Sequence, residues 1–100
     1  MICLGRVKTV VEGDFEWDAA KARSNFTKHG VTFEEATTVF DDPHAIDAPD
    51  VGDSDRFVII GMSSRSRVLF VVHAIRGARV RIVSARRATT TQRRKYEEDN

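Results

Sequence analysis

Read for the spacing of its apolar and polar positions, the chain divides into elements of clearly different period. From residue 7 the run "VKTVV" and, beyond Gly13-Asp14, the run "FEWD" are short β-favouring pieces, which predicts a first strand with an irregular lead-in. Asp18 stands where a helix N-cap belongs, and "AAKARSNFTKH" reads as a helix closed by Gly30. Ala22, Phe26 and either Asn25 or His29 form its thin apolar stripe, and Lys28 and His29 fall in the last turn, where cations favour the helix dipole. A second helix follows at once. Thr32 and Glu35 have capping-box spacing, Val31 and Ala36 that of a hydrophobic staple, and Phe33, Ala36, Thr37 and Phe40 share one face until "DDP" ends the helix.

Positions 41–55, "DDPHAIDAPDVGDSD", read as a loop with one short strand near "HAID"; the carboxylates lack EF-hand spacing, so calcium is not expected. Three strands follow. "RFVIIGM" and "RVLFVVHAI" are near-continuous apolar runs suited to interior strands, whereas "RVRIVSA" alternates, with Val80 and Ile82 on one face and Arg79 and Arg81 on the other. Thr89 and Gln92 repeat the capping-box spacing before "RRKYEEDN", a helix whose only large apolar residue is Tyr96 and which is expected to be loosely held. The expected fold is a single α+β domain over 1–100. Its two N-terminal helices pack on one face of a mainly antiparallel sheet, with a C-terminal helix after the meander.

Composition changes this picture in one respect. A hydrophobic fraction of 41% and a charged fraction of 31% fit a soluble globular domain, and no apolar run approaches the length of about 18 residues that a membrane span needs. The opening residues lack the apolar core of a signal peptide, and the lone Cys3 has no partner for an internal disulfide, which fits a reducing cytoplasm. The net charge of +1, however, conceals an asymmetry: residues 1–55 hold five Lys/Arg against twelve Asp/Glu, and residues 56–100 hold eleven against three. Ten of those eleven cations are arginine, whose planar fork matches phosphate, so an anionic partner becomes a serious expectation.

Where a histidine stands among these arginines depends on the register of the "VVHAIRGARVR" hairpin. A two-residue Arg76-Gly77 loop would force Arg76 into a left-handed conformation. A three-residue loop, Ile75-Arg76-Gly77, places that conformation on glycine and is the expected form. It sets His73 opposite Arg79, with Arg81 further along the same face and Arg67 in phase with His73. A histidine beside guanidiniums is held neutral and can serve as a base, although a lone strand histidine also serves structure. His29, beside Lys28, has the same two readings, helix cap or site.

Such a face could cut RNA without a metal. The 2′-hydroxyl attacks the phosphodiester, and the protein removes a proton, neutralises the pentavalent phosphate and protonates the leaving 5′-oxygen. No metal-ligand cluster, P-loop or nucleotide-binding glycine motif is apparent in the sequence, and no cofactor is expected.

Read together, "FEWDAAKARSNFTKHGVTFEEATTVF" and "RFVIIGMSSRSRVLFVVHAIRGARVRIVSARRAT", with the later "YEE", resemble the BrnT toxin family. W-D, K-H-G-V-x-F-E-E-A and S-A-R-x-A carry the resemblance in that order. It runs from about Phe15 to Glu98 and leaves residues 1–14 as an N-terminal extension or irregular strand. The resemblance implies a RelE-like fold and a cytoplasmic, metal-independent endoribonuclease that inhibits translation as the toxin of a type II toxin–antitoxin pair. It also implies a BrnA-like ribbon-helix-helix antitoxin that contacts operator DNA as part of the complex, with a dimer of toxin–antitoxin heterodimers as one arrangement. Carried onto this sequence, catalytic roles fall on Lys28, His29, His73, Arg81 and Arg86: proton transfer for Lys28, His29 or His73, phosphate stabilisation for Arg81 and Arg86. RNA contacts are expected at Arg65, Arg67, Arg79, Arg87 and Tyr96. The alternative from another class is a non-catalytic RNA-binding or regulatory module using the same basic face.

Overall fold

In a computed structural model that describes residues 8–50, 52 and 55–98, the elements run β1 (Thr9–Glu12), β2 (Phe15–Asp18), α1 (Ala19–His29), α2 (Phe33–Thr38), a 3₁₀ turn (Val39–Asp41), β3 (Ile46–Pro49), β4 (Phe57–Met62), β5 (Val68–Arg76), β6 (Arg79–Arg87) and α3 (Thr90–Glu98). Cys3 and the first seven residues of the expected extension lie outside the described residues. One mixed sheet has the order β1-β2-β6-β5-β4-β3, and β3 to β6 form the expected antiparallel meander. No helix among the described residues is long and apolar enough to cross a membrane.

At the N-terminus, residues 9–12 form a regular edge strand. β1 and β2 pair across Gly13-Asp14, with Gly13 taking the left-handed φ of 60° that glycine adopts without steric cost. β2 then lies parallel to β6 through Phe15↔Val80 and Glu16↔Arg81, the single parallel pairing among the described strands. Local periodicity cannot announce this pairing, because its partners stand 65 residues apart.

The helix boundaries follow their sequence signals. Gly30 closes α1 in a left-handed conformation, its N–H donating to the Phe26 carbonyl. At α2 only half of the capping box forms. Thr32 Oγ1 accepts from the Glu35 N–H at 3.0 Å, but the Glu35 carboxylate is turned away to Ser63 and Arg67. At α3 the box is complete, with Gln92 N–H donating to Thr89 Oγ1 and Thr89 N–H to Gln92 Oε1. α3 is better anchored than its composition suggested: Tyr96 is buried and donates to Asp42 Oδ2 at 2.6 Å.

The core lies between the sheet and α1–α2. Trp17, Val31, Phe33, Ala36, Val39, Ile59, Leu69, Val71, Ile82 and Ala85 form one buried cluster, in which Trp17 meets Phe33 edge to face at 6.0 Å. Phe33 and Ala36 are buried as expected, and Val39 joins them because the chain tightens to 3₁₀ after Thr38. Phe40, half-buried, packs on Phe15 and His73 at the cluster's margin. Phe26 departs from expectation. It is 53% exposed, while Asn25 holds the buried position on α1. α3 instead packs against β4, so the helices are not all grouped together.

The β5–β6 hairpin overturns the expected register. Arg76 pairs with Arg79, leaving Gly77-Ala78 as a two-residue loop, and Gly77 carries the left-handed φ of 58° in the first loop position, where a tight hairpin favours glycine. His73 therefore pairs with Ile82, and Arg81 with Ala74; beyond them a bulge at Val72/His73 shifts the register so that Val72 pairs with Ser84. Because successive side chains alternate between faces, His73 lies on the opposite face of the sheet from Arg79 and Arg81.

Candidate nucleic-acid interface

Arg56, Arg76 and Arg81 of the C-terminal half lie near the start of α1, beside one edge of β6. β2 covers that edge only as far as Glu16↔Arg81, and beyond it α1 takes the neighbour's place. Asn25 makes the join: its Oδ1 accepts from Ala85 N–H at 3.1 Å, its amide donates to the Ala85 carbonyl at 2.7 Å, and the same amide reaches the Val31 carbonyl at 3.1 Å. A side-chain amide thus satisfies a strand edge that would otherwise leave a buried N–H and C=O unpaired. This fixes the direction of α1. It starts beside Arg81, passes Ala85, and ends where the Gly30 carbonyl accepts from Arg67 at 3.2 Å.

Between helix and strand runs a trough. Lys21, Ser24, Asn25, Lys28, His29, Val83 and Ser84 line a depression of about 190 Å³. Lys21 and Val83 also border a second depression of about 340 Å³ that takes in Arg56, Arg76 and Arg81 together with Asp18 and Asp55. The shared residues make the two continuous. Lys28 and His29 line the first and Arg81 the second, with Lys21 common to both. Lys21 escaped the sequence reading although its spacing, 21, 25, 28, puts it on the Asn25 face of the helix.

Carboxylates orient two of the expected arginines. Arg81 donates to Glu16 Oε2 at 2.6 Å across the β2–β6 pair, with both side chains largely covered at 19% and 12% exposure. Arg67 makes a two-point pair with Glu35, through Nε at 3.0 Å and through a second bond from its Nη2, while Ser63 Oγ donates to the same carboxylate at 2.7 Å. Burial pushes the Glu35 carboxyl up, but the hydrogen bonds from Arg67 and Ser63 and the charges of Arg67 and Arg65 outweigh it and hold the carboxyl below its usual range. The same pairing raises Arg67. A lone Glu in a capping box gave no sign of this network, because its partners lie 28 and 32 residues away.

The remaining expected residues are dispersed. Arg86 stacks over the Phe70 ring at 4.1 Å and donates to Gln92 Oε1, so it is held on the sheet face opposite the buried Leu69 and Ala85. Arg79 is exposed at the hairpin and Arg65 in the β4–β5 turn, while Arg87 borders a separate cleft with Arg67 and Arg93. Tyr96 is no exposed RNA contact. Its hydroxyl is committed to Asp42, and burial, with the hydrogen bond to Asp42 and that residue's charge, pushes it up to about 12. His73 is 6% exposed, ringed by Phe40 at 4.9 Å and Phe57 at 6.1 Å, with a buried Nδ1 that has no hydrogen-bond partner among the described residues. Burial holds it below the usual histidine value, against smaller opposing effects of the Val71 backbone and Asp47. Among the described residues no three His, Cys, Asp or Glu side chains converge as a metal-binding group would.

Comparison with known proteins gives a consistent result. Residues 17–92 match the model of a family described as ribonuclease toxin, BrnT, of type II toxin–antitoxin system. The crystal structure of the Brucella abortus ribonuclease toxin BrnT is similar, with 25% sequence identity, a TM-score of 0.62, and coverage of 74% of this chain and 94% of that one. Comparison with curated proteins gives no match.

Proposed function

The chain belongs to the BrnT family of ribonuclease toxins of type II toxin–antitoxin systems, and from that premise we propose that it cleaves RNA in the trough between α1 and β6, without a metal. The observation that carries this reading is a pair of adjoining depressions that share Lys21 and Val83, one lined by Lys28, His29 and Ser84 and the other by Arg81. A single-stranded backbone laid along the trough meets cations over the length of the helix, about 16 Å for 11 residues.

In the reaction, His29 or Lys28 takes the proton of the 2′-hydroxyl. The 2′-oxygen attacks phosphorus, the P–O5′ bond breaks, and the other member of the Lys28–His29 pair, in its protonated form, gives its proton to the departing oxygen, leaving a 2′,3′-cyclic phosphate and a 5′-hydroxyl. Arg81, held in place by Glu16, stabilises charge on the equatorial oxygens, a task to which a pre-oriented guanidinium is suited. Arg86 and the exposed Arg65 and Arg79 contribute to holding RNA rather than to the chemical step. His73 has no part in this scheme, since the hairpin register carries it to the far side of the sheet from Arg81.

The biological role that fits is arrest of translation in the cytoplasm by RNA degradation, on a RelE-like scaffold. A BrnA-like ribbon-helix-helix antitoxin would silence the toxin and carry the complex to operator DNA. The deciding experiment is incubation of the purified protein with total RNA in excess EDTA. Cleavage products ending in cyclic phosphate are expected. RNA binding without cleavage, with or without added divalent metal, would turn the assignment to a non-catalytic RNA-binding module.

A further inference from the structure

A second basic site stands apart from the trough, at the junction of the β4–β5 turn with the start of α3. Arg67, Arg87 and Arg93 border a cleft of about 250 Å³ whose other walls are Ser66, Val68 and Ala88. Three arginines around one cleft place like charges close together, and like charges so placed repel one another. Such an arrangement is stabilised by an anion. We propose that this cleft is a phosphate-binding subsite that anchors the RNA beyond the end of α1, away from the reacting phosphodiester.

The three arginines differ in how they are held, and the differences suit the role. Arg67 is fixed by its two-point pairing with Glu35, so its orientation is set before any ligand arrives. Its Nη2 also donates to the Gly30 carbonyl, which ties the cleft to the end of α1 and hence to the trough. Arg93 donates to Glu97 at 3.2 Å, an i,i+4 pair in which both side chains are more than half exposed. Such a pair contributes little, so a phosphate can draw that guanidinium away. Arg87 is exposed, and its side chain has no carboxylate partner among the described residues. The carboxylates nearby, Glu35 and Glu97, each answer one arginine, which leaves the third charge uncompensated.

The turn that supplies the wall is itself constrained. Ser66 has a left-handed φ of 62°, the only non-glycine residue among those described to do so. It is held there by its N–H donating to the Ser63 carbonyl, and Ser63 in turn donates to Glu35. Non-glycine residues persist in this conformation when the surrounding structure over-determines them, as happens at ligand clamps. One network, Glu35–Ser63–Arg67, therefore shapes the turn and aims the arginine.

The inference rests on the chain being an RNA-binding toxin, and its test separates the two claims. A phosphate can come from inside the strand or from a 5′-terminal phosphate. Binding is therefore measured by fluorescence anisotropy with 2′-O-methyl oligonucleotides, which cannot be cleaved through a 2′-hydroxyl, in 5′-phosphorylated and 5′-hydroxyl forms. For Arg87→Ala/Arg93→Ala, we expect affinity to fall at least tenfold at low salt. The slope of log affinity against log salt should become shallower by about 0.7 for each phosphate that is no longer neutralised. Arg87→Lys, which keeps the charge but loses the fork, should recover part of this loss. Arg94→Ala removes the same charge from the same helix outside the cleft and should change affinity much less. A loss confined to the phosphorylated form identifies a terminal phosphate as the ligand, and an equal loss in both forms identifies an internal one. Wild-type affinity in the double variant on both oligonucleotides, or an equal effect of Arg94→Ala, would overturn the site. RNA cleavage by the wild-type protein is scored separately, so a binding cleft in an inactive protein and an active protein without the cleft give different results.

Discussion

Asn25 pairs with Ala85 as a neighbouring strand would, accepting from its N–H at 3.1 Å and donating to its carbonyl at 2.7 Å. One side chain thereby joins α1 to the part of the β6 edge that β2 leaves uncovered, and it lines the candidate site. Asn25→Ala would leave both Ala85 groups and the Val31 carbonyl short of a partner. Each buried unsatisfied group costs about 1–3 kcal/mol, so we expect a loss of several kcal/mol in urea denaturation. Asn25→Asp, which keeps the acceptor but removes the donor and adds a buried charge, should be at least as harmful. A wild-type midpoint in either variant would show that the α1–β6 join is not held by this amide.

Arg67→Ala should destabilise strongly, because it leaves the Glu35 carboxylate buried and short of partners; breaking a buried pair costs about 3–5 kcal/mol. The effect carries a pH signature. In the wild type the Glu35 carboxyl lies below its unfolded value, so its stabilisation is present above that value and is lost as pH falls. In the variant burial prevails, the carboxyl rises, and acid relieves the penalty. The difference between the two proteins should therefore narrow from pH 7 towards pH 4. A gap independent of pH would place the cost in packing and not in Glu35.

His73 is a buried histidine and not a surface base. Burial holds it neutral in the folded chain, so the unfolded state takes up a proton first, and stability should fall as pH drops below about 6.5. His73→Leu should remove this arm of the stability profile and leave RNA cleavage intact. Loss of cleavage with the fold retained would restore His73 to the reaction.

Arg81→Ala should reduce RNA cleavage by about 10²–10³-fold, the range seen when one donor to a developing oxyanion is removed. Its salt bridge with Glu16 is largely covered, so a moderate drop in melting temperature is expected as well, and folding is checked by circular dichroism at the assay temperature. Cleavage at the wild-type rate by the folded variant would remove Arg81 from the proposed mechanism.

What the chain encodes locally is legible in the sequence alone. Gly30 at the end of α1, the Thr89–Gln92 capping box, the two apolar runs of β4 and β5 and the alternation of β6 are short-range patterns. Each acts through neighbours within four residues or through the pleat of a single strand. The family signature and the concentration of arginine in the second half are legible for the same reason.

What required the tertiary structure depends on distant positions coming together. The parallel β2–β6 pairing, the turning of Glu35 away from its own helix to Arg67, and the use of Asn25 as a strand surrogate all join residues at least 32 apart. The hairpin register shows the boundary most plainly. Placing glycine in the left-handed position was correct, but shifting the loop from Ile75-Arg76-Gly77 to Gly77-Ala78 moved His73 from the arginines to the aromatic side of the sheet. A strand has a side-chain period of two, so a one-residue change in loop length exchanges its faces, and packing against Phe40 and Phe57 fixes which face is kept.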